Sequence, residues 1–179
     1  FYSFESIDRV RRIQRAIYPK PYYALLNDSK YKFELKKNGE IRLLSMDIAT
    51  QGGSKNDATC FVFMQLIPTT NNQYIRNVAY ITTLDGGHTF DQALKARRLF
   101  DDLECDYMIV DTNGVGIGVY DNLVIEQIDD DRNVVYPAWT CINDKGMAER
   151  CKEPDAPEII YSIKATAKFN SEAAVYLRD

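Results

Sequence analysis

Short apolar runs separated by turn residues dominate the first half of the chain. Three of them cover residues 41–49, 57–67 and 74–83, and the last is rich in β-branched and aromatic side chains. Apolar runs of this length between turn signals are typical of buried strands. Because the connections 50–56 and 68–73 are short and contain Gly, Asn and Pro, we predict an antiparallel meander.

A helical pattern follows the meander. Over residues 90–104 apolar side chains recur at helical spacing, and Thr89 is placed to cap the helix. A fourth strand is predicted at 106–111, and we expect it to run parallel to the first because a helix separates them. A second helix is predicted over 116–127, and a fifth strand over 134–140.

This order of elements is that of a ribonuclease H-like α/β fold. Its mixed five-stranded sheet would combine an antiparallel meander with parallel strands, flanked by helices. The segment 159–163 is expected to be a short strand or a bridge to a last helix that begins near Ser171. We expect residues 39–179 to form this domain, which would be incomplete at its C-terminal end.

Residues 1–38 are predicted to be a linker or the tail of a preceding module. Apolar side chains recur there at helical spacing, at Phe4, Ile7, Val10, Ile13 and Ile17. This pattern predicts an amphipathic helix that Pro19 and Pro21 terminate.

The composition indicates a soluble globular protein and excludes several kinds of site. A single histidine excludes a multi-histidine zinc site. Four cysteines without a CxxC pair favour a reduced, intracellular protein. The net charge of −4 argues against a protein whose whole surface grips nucleic acid, although acidic metal ligands can lower the charge of a nuclease. We find no signal peptide and no apolar run long enough to cross a membrane.

Two aspartates, Asp47 and Asp111, each end an apolar run and precede a turn that contains small residues. Taken alone, each is most simply a turn residue that closes a strand. The apolar neighbours of Asp47 nevertheless predict a carboxylate embedded at a sheet end, and a buried charge is costly unless paired or bound to metal. Carboxylates at the ends of neighbouring strands could share a divalent cation, as in metal-dependent phosphodiester cleavage.

The glycine-rich turn at 112–118 has two explanations. It is either a simple strand-to-helix turn or a backbone that approaches a ligand phosphate at a helix N-terminus. A Walker loop is excluded because no Gly-Lys-Ser/Thr follows, and the G-x-G-x-G spacing matches the dinucleotide fingerprint poorly.

Other acidic residues are weaker candidates. Asp57 opens the second predicted strand, one hairpin from Asp47, so it could lie beside a metal in a supporting role. Asp121, on the helix after Asp111, is more simply a solvated helix residue, and 129–131 a solvated acidic loop.

The basic candidates also have simple structural explanations. His88 precedes a predicted helix, where capping or a turn explains it better than catalysis. Arg97, Arg98, Lys164 and Lys168 could face phosphate, but scattered basic residues usually lie on the surface.

Two segments taken together, MDIATQGGSKNDATCFVF and LDGGHTFDQALKARRLFDDLECDYMIVDTNGVGIGVYDNL, resemble the nuclease domain of the large terminase subunit of tailed bacteriophages. The specific part is D-x-A followed ten residues later by D-A-T, and then VDTNGVGIGVYDNL. The resemblance spans about residues 1–179, and the FESID helix resembles the segment that joins an upstream ATPase domain to the nuclease.

The resemblance implies a metal-dependent endodeoxyribonuclease with two Mg²⁺ or Mn²⁺ ions held by three acidic residues. Carried over by position, Asp47 is the first metal ligand, Asp111 the second, and Asp57 has a supporting role. It implies cutting of concatemeric double-stranded DNA at the procapsid portal, in the cytoplasm of the bacterial host. The implied partners are this DNA, the upstream ATPase domain of the same polypeptide, the portal protein and the small terminase subunit, with no membrane.

The third acidic ligand is expected beyond Asp179, because in this family it follows the helix in which the chain stops. We therefore expect this chain to bind Mn²⁺ more weakly than a longer form; a third acid within the chain would be Asp57 or Asp121. One alternative is another ribonuclease H-like enzyme, such as a resolvase or transposase core, which an upstream Walker motif would argue against. The other is a non-catalytic docking domain of the same fold, which would bind Mn²⁺ only weakly.

Overall fold

The structure, a computed structural model, describes residues 3–11, 13–26, 28, 30–49 and 58–178. The strands in these residues are β1 (Ile41–Asp47), β2 (Thr59–Pro68), β3 (Tyr74–Leu84), β4 (Tyr107–Asp111), β5 (Gln127–Asp129), β6 (Val134–Tyr136), β7 (Thr140–Cys141) and β8 (Glu158–Ile163). The helices are α1 (Phe4–Val10), α2 (Lys20–Leu25), α3 (Thr89–Asp102), α4 (Gly116–Leu123), α5 (Lys145–Ala148) and α6 (Ala167–Arg178). None of these helices is both long and apolar enough to cross a membrane.

The main sheet is mixed and has six strands in the order β3-β2-β1-β4-β8-β7, while β5 and β6 form a separate two-stranded sheet. β1, β2 and β3 are antiparallel neighbours, which confirms the predicted meander. β4 lies parallel to β1, as predicted from the helix between them. The protein is therefore a mixed α/β protein, with six strands in its main sheet where five were predicted.

The prediction of one continuous strand over 134–140 is wrong. Val134–Tyr136 forms β6, which pairs with β5 outside the main sheet across a turn in which Asn133 has a φ of 52°, and Thr140 belongs to the short edge strand β7. Pro137 then follows, and proline cannot donate a hydrogen bond to a strand ladder. The strand that pairs with β4 is β8, whose Ile160 is fully buried.

The hydrophobic core lies between α3, α4 and one face of the main sheet. Alternate strand residues point into this core: Leu44, Met46, Phe61, Phe63, Met108, Val110 and Ile160. The helices contribute Ala93, Ala96, Leu99, Val119 and Leu123. α3 lies close to its predicted position, whereas α4 ends at Leu123 rather than at residue 127. The intervening strand positions, such as Leu43 and Ile109, point to the second face of the sheet and are only half-buried.

The N-terminal segment is not the single helix that its pattern predicts. α1 ends at Val10, and no residue of α1 is buried. Ile17 lies in non-helical backbone, where its N–H donates to the Ala79 carbonyl at 3.0 Å and its side chain enters the core. Packing of Ile17 against the sheet outweighs continuation of a helix that buries nothing, because short helices depend on tertiary packing. The assignment of residues 1–38 to a linker or preceding module stays a prediction.

A buried network of charged and polar side chains lies at the N-terminal end of β1. The side chains of Arg42 and Glu40 are fully buried and pair at 2.6 Å, and Gln65 donates to the same carboxylate at 3.0 Å. Arg42 also donates to the carbonyls of Glu34 at 2.7 Å and Leu103 at 3.0 Å. Because every member has a partner, the network holds the segment before β1 against the sheet.

Candidate functional site

Asp47 and Asp111 lie at the same edge of the main sheet. They are the last residues of β1 and β4, parallel neighbours in which Met46 lies opposite Val110. The two aspartates follow at equivalent positions, on strands that are about 4.8 Å apart. Each aspartate directly follows a core residue, Met46 or Val110. Because side chains alternate along a strand, both aspartates lie on the face of the sheet opposite α3 and α4. The prediction that the two carboxylates end neighbouring strands is confirmed.

The Asp47 side chain is exposed, so the expectation of an embedded carboxylate is wrong. The reason is its position, since the alternation of β1 buries Met46 and turns Asp47 away from the core. Its cross-strand neighbour on β2 is Cys60. Within the described residues, the Asp47 carboxylate makes no hydrogen bond and no salt bridge. Among the described residues, no group competes with a ligand for either oxygen.

The Asp111 carboxylate is half-buried and is oriented by backbone groups. Its Oδ1 accepts hydrogen bonds from the N–H of Asn113 at 2.9 Å and from the N–H of Ala165 at 3.2 Å. No residue in the described part of the chain donates to its Oδ2. One oxygen therefore holds the side chain in place, and no described donor occupies the other.

A polar cluster behind Asp111 joins β4 to β8 and β7. The hydroxyls of Thr112 and Ser162 hydrogen-bond at 2.7 Å, and the Thr112 N–H donates to the Ile163 carbonyl at 2.9 Å. The Asn143 side chain continues the strand pairing, because it both accepts from the Ser162 N–H and donates to the Ser162 carbonyl at 2.9 Å. Sequence reasoning missed these residues because no local pattern joins positions that lie 19 and 50 apart.

A tight strand-to-helix turn accounts for the glycines after Asp111. A Cβ on Gly116 would lie 1.7 Å from the Asp111 carbonyl oxygen, so only glycine fits there without a backbone shift. A Cβ on Gly118 would lie 3.1 Å from Cγ2 of Thr89, where α4 approaches α3. Gly114 has a φ of 59°, which favours glycine, although space around it is open.

The Gly116→Ala substitution is expected to destabilise the protein more than Gly114→Ala. At position 116 the new methyl group collides with the backbone that carries Asp111, and forced shifts of this kind cost about 3 kcal/mol. At position 114 only the left-handed backbone is penalised, by about 1 kcal/mol. Urea denaturation of both variants measures the two losses. An equal or smaller loss for Gly116→Ala would contradict the close approach of α4 to β4.

The weaker acidic candidates lie in different environments. Asp57 lies outside the described residues. Asp121 accepts two hydrogen bonds from Arg150, at 2.7 and 2.5 Å, on the outer side of α4, which agrees with a surface role. Asp129 is not in a solvated loop: it is buried in β5, and Arg98 hydrogen-bonds both of its oxygens. These bonds hold the pKa of Asp129 below its ordinary value.

The basic pair on α3 is not available for phosphate. Arg97 is fully buried and donates to backbone carbonyls, and Arg98 is engaged by the carboxylate of Asp129. Lys164 is exposed, 3.9 Å from Asp144, and Lys168 forms an ion pair within α6. Among these candidates, only the two lysines keep the surface position that a phosphate contact needs.

His88 has the capping role that its position predicts. It is the N-cap residue of α3, and its N–H donates to the carboxylate of Asp91 at 3.3 Å. Thr89, predicted as the cap, is instead the first residue of the helix, and its Oγ1 accepts from Asn122 at 3.3 Å.

The site at this edge of the sheet is a pair of carboxylates. Among the described residues, no group of three or more His, Cys, Asp or Glu side chains is placed to hold a metal ion. The pair itself combines an exposed carboxylate with an oriented one, and carboxylate oxygens are suited to hard divalent cations. No protein-family model matches the chain, and no curated protein or solved structure matches it significantly.

Proposed function

We propose that this chain is the nuclease domain of a terminase large subunit, a metal-dependent endodeoxyribonuclease with a ribonuclease H-like fold. The observation that carries the proposal is the pair Asp47 and Asp111, at the ends of adjacent parallel strands on one face of the sheet. Rigid strands at a sheet edge are a good support for a site that must hold charged groups close together.

The strand order supports the ribonuclease H-like part of the proposal. The antiparallel meander continues into two parallel strands, in the order β3-β2-β1-β4-β8. In this order β8 lies parallel to β4 and next to it. The helix between β3 and β4 packs on the face opposite the two aspartates.

The donor chemistry fits Mg²⁺ or Mn²⁺. Hard cations prefer carboxylate oxygens, and both Asp47 and the Oδ2 of Asp111 lack a partner in the described part of the chain. In this proposal Asp47 and Asp111 hold two such ions, Asp57 supports them, and the third acidic ligand is not assigned to a described residue. When bound, the ions would lower the pKa of an attacking water and offset charge on the phosphate.

The remaining roles in the proposal belong to backbone groups and to one lysine. The N–H groups of Asn113 and Ala165 keep the Asp111 carboxylate in one orientation. Lys164 directly follows Ile163, the residue opposite Asp111 on β8, and its exposed side chain can approach a DNA phosphate. Phosphate contacts carry little sequence information, so we expect cleavage with weak sequence preference.

The proposed substrate is concatemeric double-stranded DNA, cut at the procapsid portal in the host cytoplasm. The proposed partners are the ATPase domain of the same polypeptide, the portal protein and the small terminase subunit. These parts of the proposal rest on the sequence resemblance, whereas the cleavage chemistry rests on the two carboxylates.

An NMR titration with Mn²⁺ tests the metal site. The paramagnetic ion is expected to broaden the amide signals of Asp47 and Asp111 first. Glu40 serves as an internal control, because it precedes β1 at the other end of the strand, about 20 Å away at 3.3 Å per residue. Asp111→Asn should abolish the selective broadening, whereas Asp130→Asn, at an exposed acid outside the site, should preserve it.

A plasmid assay then tests the reaction. Selective broadening together with nicking of supercoiled DNA in Mn²⁺, suppressed by EDTA, would support the nuclease. Weak, unselective broadening without nicking would instead favour a docking domain of the same fold.

A further inference from the structure

Two buried side chains hold the backbone just after Asp47. The N–H of Ala49 donates to the Thr59 hydroxyl at 2.9 Å, and that hydroxyl donates to the Ala49 carbonyl at 3.1 Å. The amide nitrogen of Gln92, on α3, donates to the same carbonyl at 2.8 Å. Thr59 and Gln92 are both fully buried, so Ala49 is fixed from the interior of the protein.

Gln92 makes these contacts at a cost to stability. Its amide nitrogen also donates to the Gly87 carbonyl at 3.3 Å, but its Oε1 is buried and has no hydrogen-bond partner among the described residues. A buried amide oxygen without a partner is destabilising, and its neighbours on α3 include the buried Ala93 and Ala96. An apolar side chain of similar size would avoid that cost, although it would release Ala49.

Asp47 depends on this arrangement more than Asp111 does. Two N–H groups orient the Asp111 carboxylate directly, whereas no described residue forms a hydrogen bond or a salt bridge with the carboxylate of Asp47. The strand ladder holds the chain up to Asp47, and the next fixed point is Ala49, two residues later. The position of the Asp47 carboxylate is therefore set by the backbone on both of its sides.

We infer that Gln92 and Thr59 are positioning residues that, through Ala49, keep the Asp47 carboxylate beside Asp111 for cation binding. That the positioning serves cation binding rests on the proposed function. That Gln92 and Thr59 position the backbone rests on their hydrogen bonds to Ala49. Groups that orient a metal ligand change metal affinity about 10- to 100-fold when they are removed. Both side chains are fully buried and bond to the backbone of Ala49, so they would act through the backbone.

Three substitutions test the inference. Gln92→Met keeps the side-chain volume but removes the hydrogen bond to Ala49, and Thr59→Val removes the hydroxyl while keeping the shape. Both are expected to weaken Mn²⁺ binding at Asp47 by about 10-fold or more, measured by calorimetry. Thr59→Ser keeps the hydroxyl and should bind Mn²⁺ like the unmodified protein.

Gln65→Met is the matched control for a purely structural effect. Gln65 is also a buried glutamine with a hydrogen bond, here to Glu40, but it lies at the opposite end of the sheet. The Gln65→Met substitution should lower the melting temperature and leave the Mn²⁺ affinity unchanged. The inference is overturned if Gln65→Met weakens Mn²⁺ binding as much as Gln92→Met does, or if Gln92→Met and Thr59→Val leave it unchanged.

A backbone measurement separates this inference from the proposed function. The ¹⁵N order parameters of Asp47 and Ile48 should fall from about 0.85, typical of rigid backbone, towards 0.6 in Gln92→Met. If the unmodified protein binds no Mn²⁺, the proposed function fails, and the order parameters alone decide the positioning. Order parameters that stay at the rigid value in Gln92→Met and Thr59→Val would overturn the inference whatever the metal result.

Discussion

Asp47→Asn is expected to reduce Mn²⁺-dependent DNA nicking by more than about 100-fold, because even groups that only orient a metal ligand cost 10- to 100-fold. The substitution keeps the size of the side chain and removes its charge. The Asp47 side chain is exposed and forms no hydrogen bond or salt bridge with a described residue, so we expect the substitution to leave the fold intact. Initial nicking rates of supercoiled plasmid at fixed Mn²⁺ measure the effect.

The stability of this variant distinguishes a loss of chemistry from a loss of fold. Asp47 and Asp111 are like charges at equivalent positions of adjacent strands, and removing one relieves their repulsion when no cation is bound. The melting temperature of Asp47→Asn without metal should therefore hold or rise. Asp130→Asn, which removes one exposed charge outside the site, should nick at the unmodified rate. Retained Mn²⁺-dependent nicking by Asp47→Asn would contradict the assignment.

Arg97→Met is expected to lower the free energy of unfolding by about 4 kcal/mol, because it leaves several buried oxygens without a hydrogen-bond donor. The fully buried Arg97 guanidinium lies 4.5 Å from the centre of the Trp139 ring. It donates hydrogen bonds to the carbonyl oxygens of Leu123, Ile125 and Pro137 and to the side-chain oxygen of Gln127. Methionine would keep the packing but leave these oxygens without their donor, and each buried one costs about 1–3 kcal/mol.

Denaturation in urea measures this loss, with Lys95→Met on the same helix as the control. Lys95 is only half-buried, so its replacement should change stability little. Burial lowers the pKa of Arg97 to about 10, and the side chain therefore stays charged at neutral pH. Arg97→Lys should also destabilise, since an ammonium group cannot reproduce the planar array of donors. One unpaired buried oxygen alone costs about 1 kcal/mol. A smaller loss of unfolding free energy in Arg97→Met would therefore contradict the role of Arg97 in binding the carbonyls of Leu123, Ile125 and Pro137.

The local pattern of the chain was sufficient for the centre of the fold. Apolar runs between turn residues located β1 to β4, and the helical spacing of α3 implied that β4 runs parallel to β1. These features depend on neighbours in the sequence, which is why the pattern reveals them. The same reasoning brought Asp47 and Asp111 to the ends of adjacent strands, because parallel strands end at the same edge of a sheet.

Only the tertiary structure decided which segment completes the sheet and which charged residues are buried. The pattern of 134–140 suits a strand, yet β8 pairs with β4, and no local signal distinguishes the two partners. Arg97 and Asp129 are charged residues that would ordinarily lie on the surface. They are buried because carbonyl groups and Arg98 from distant segments satisfy them.

The candidate site divides in the same way. Its carboxylates could be found from the sequence, because each one follows an apolar run directly. The surroundings of the carboxylates could not be found in this way, because they depend on segments that meet only in the folded chain. These surroundings are the exposure of Asp47, the backbone donors to Asp111, and the hydrogen bonds from Gln92 and Thr59 to Ala49. Sequence patterns carry the periodicity of single elements, whereas burial and hydrogen bonding are set by the packing of elements against one another.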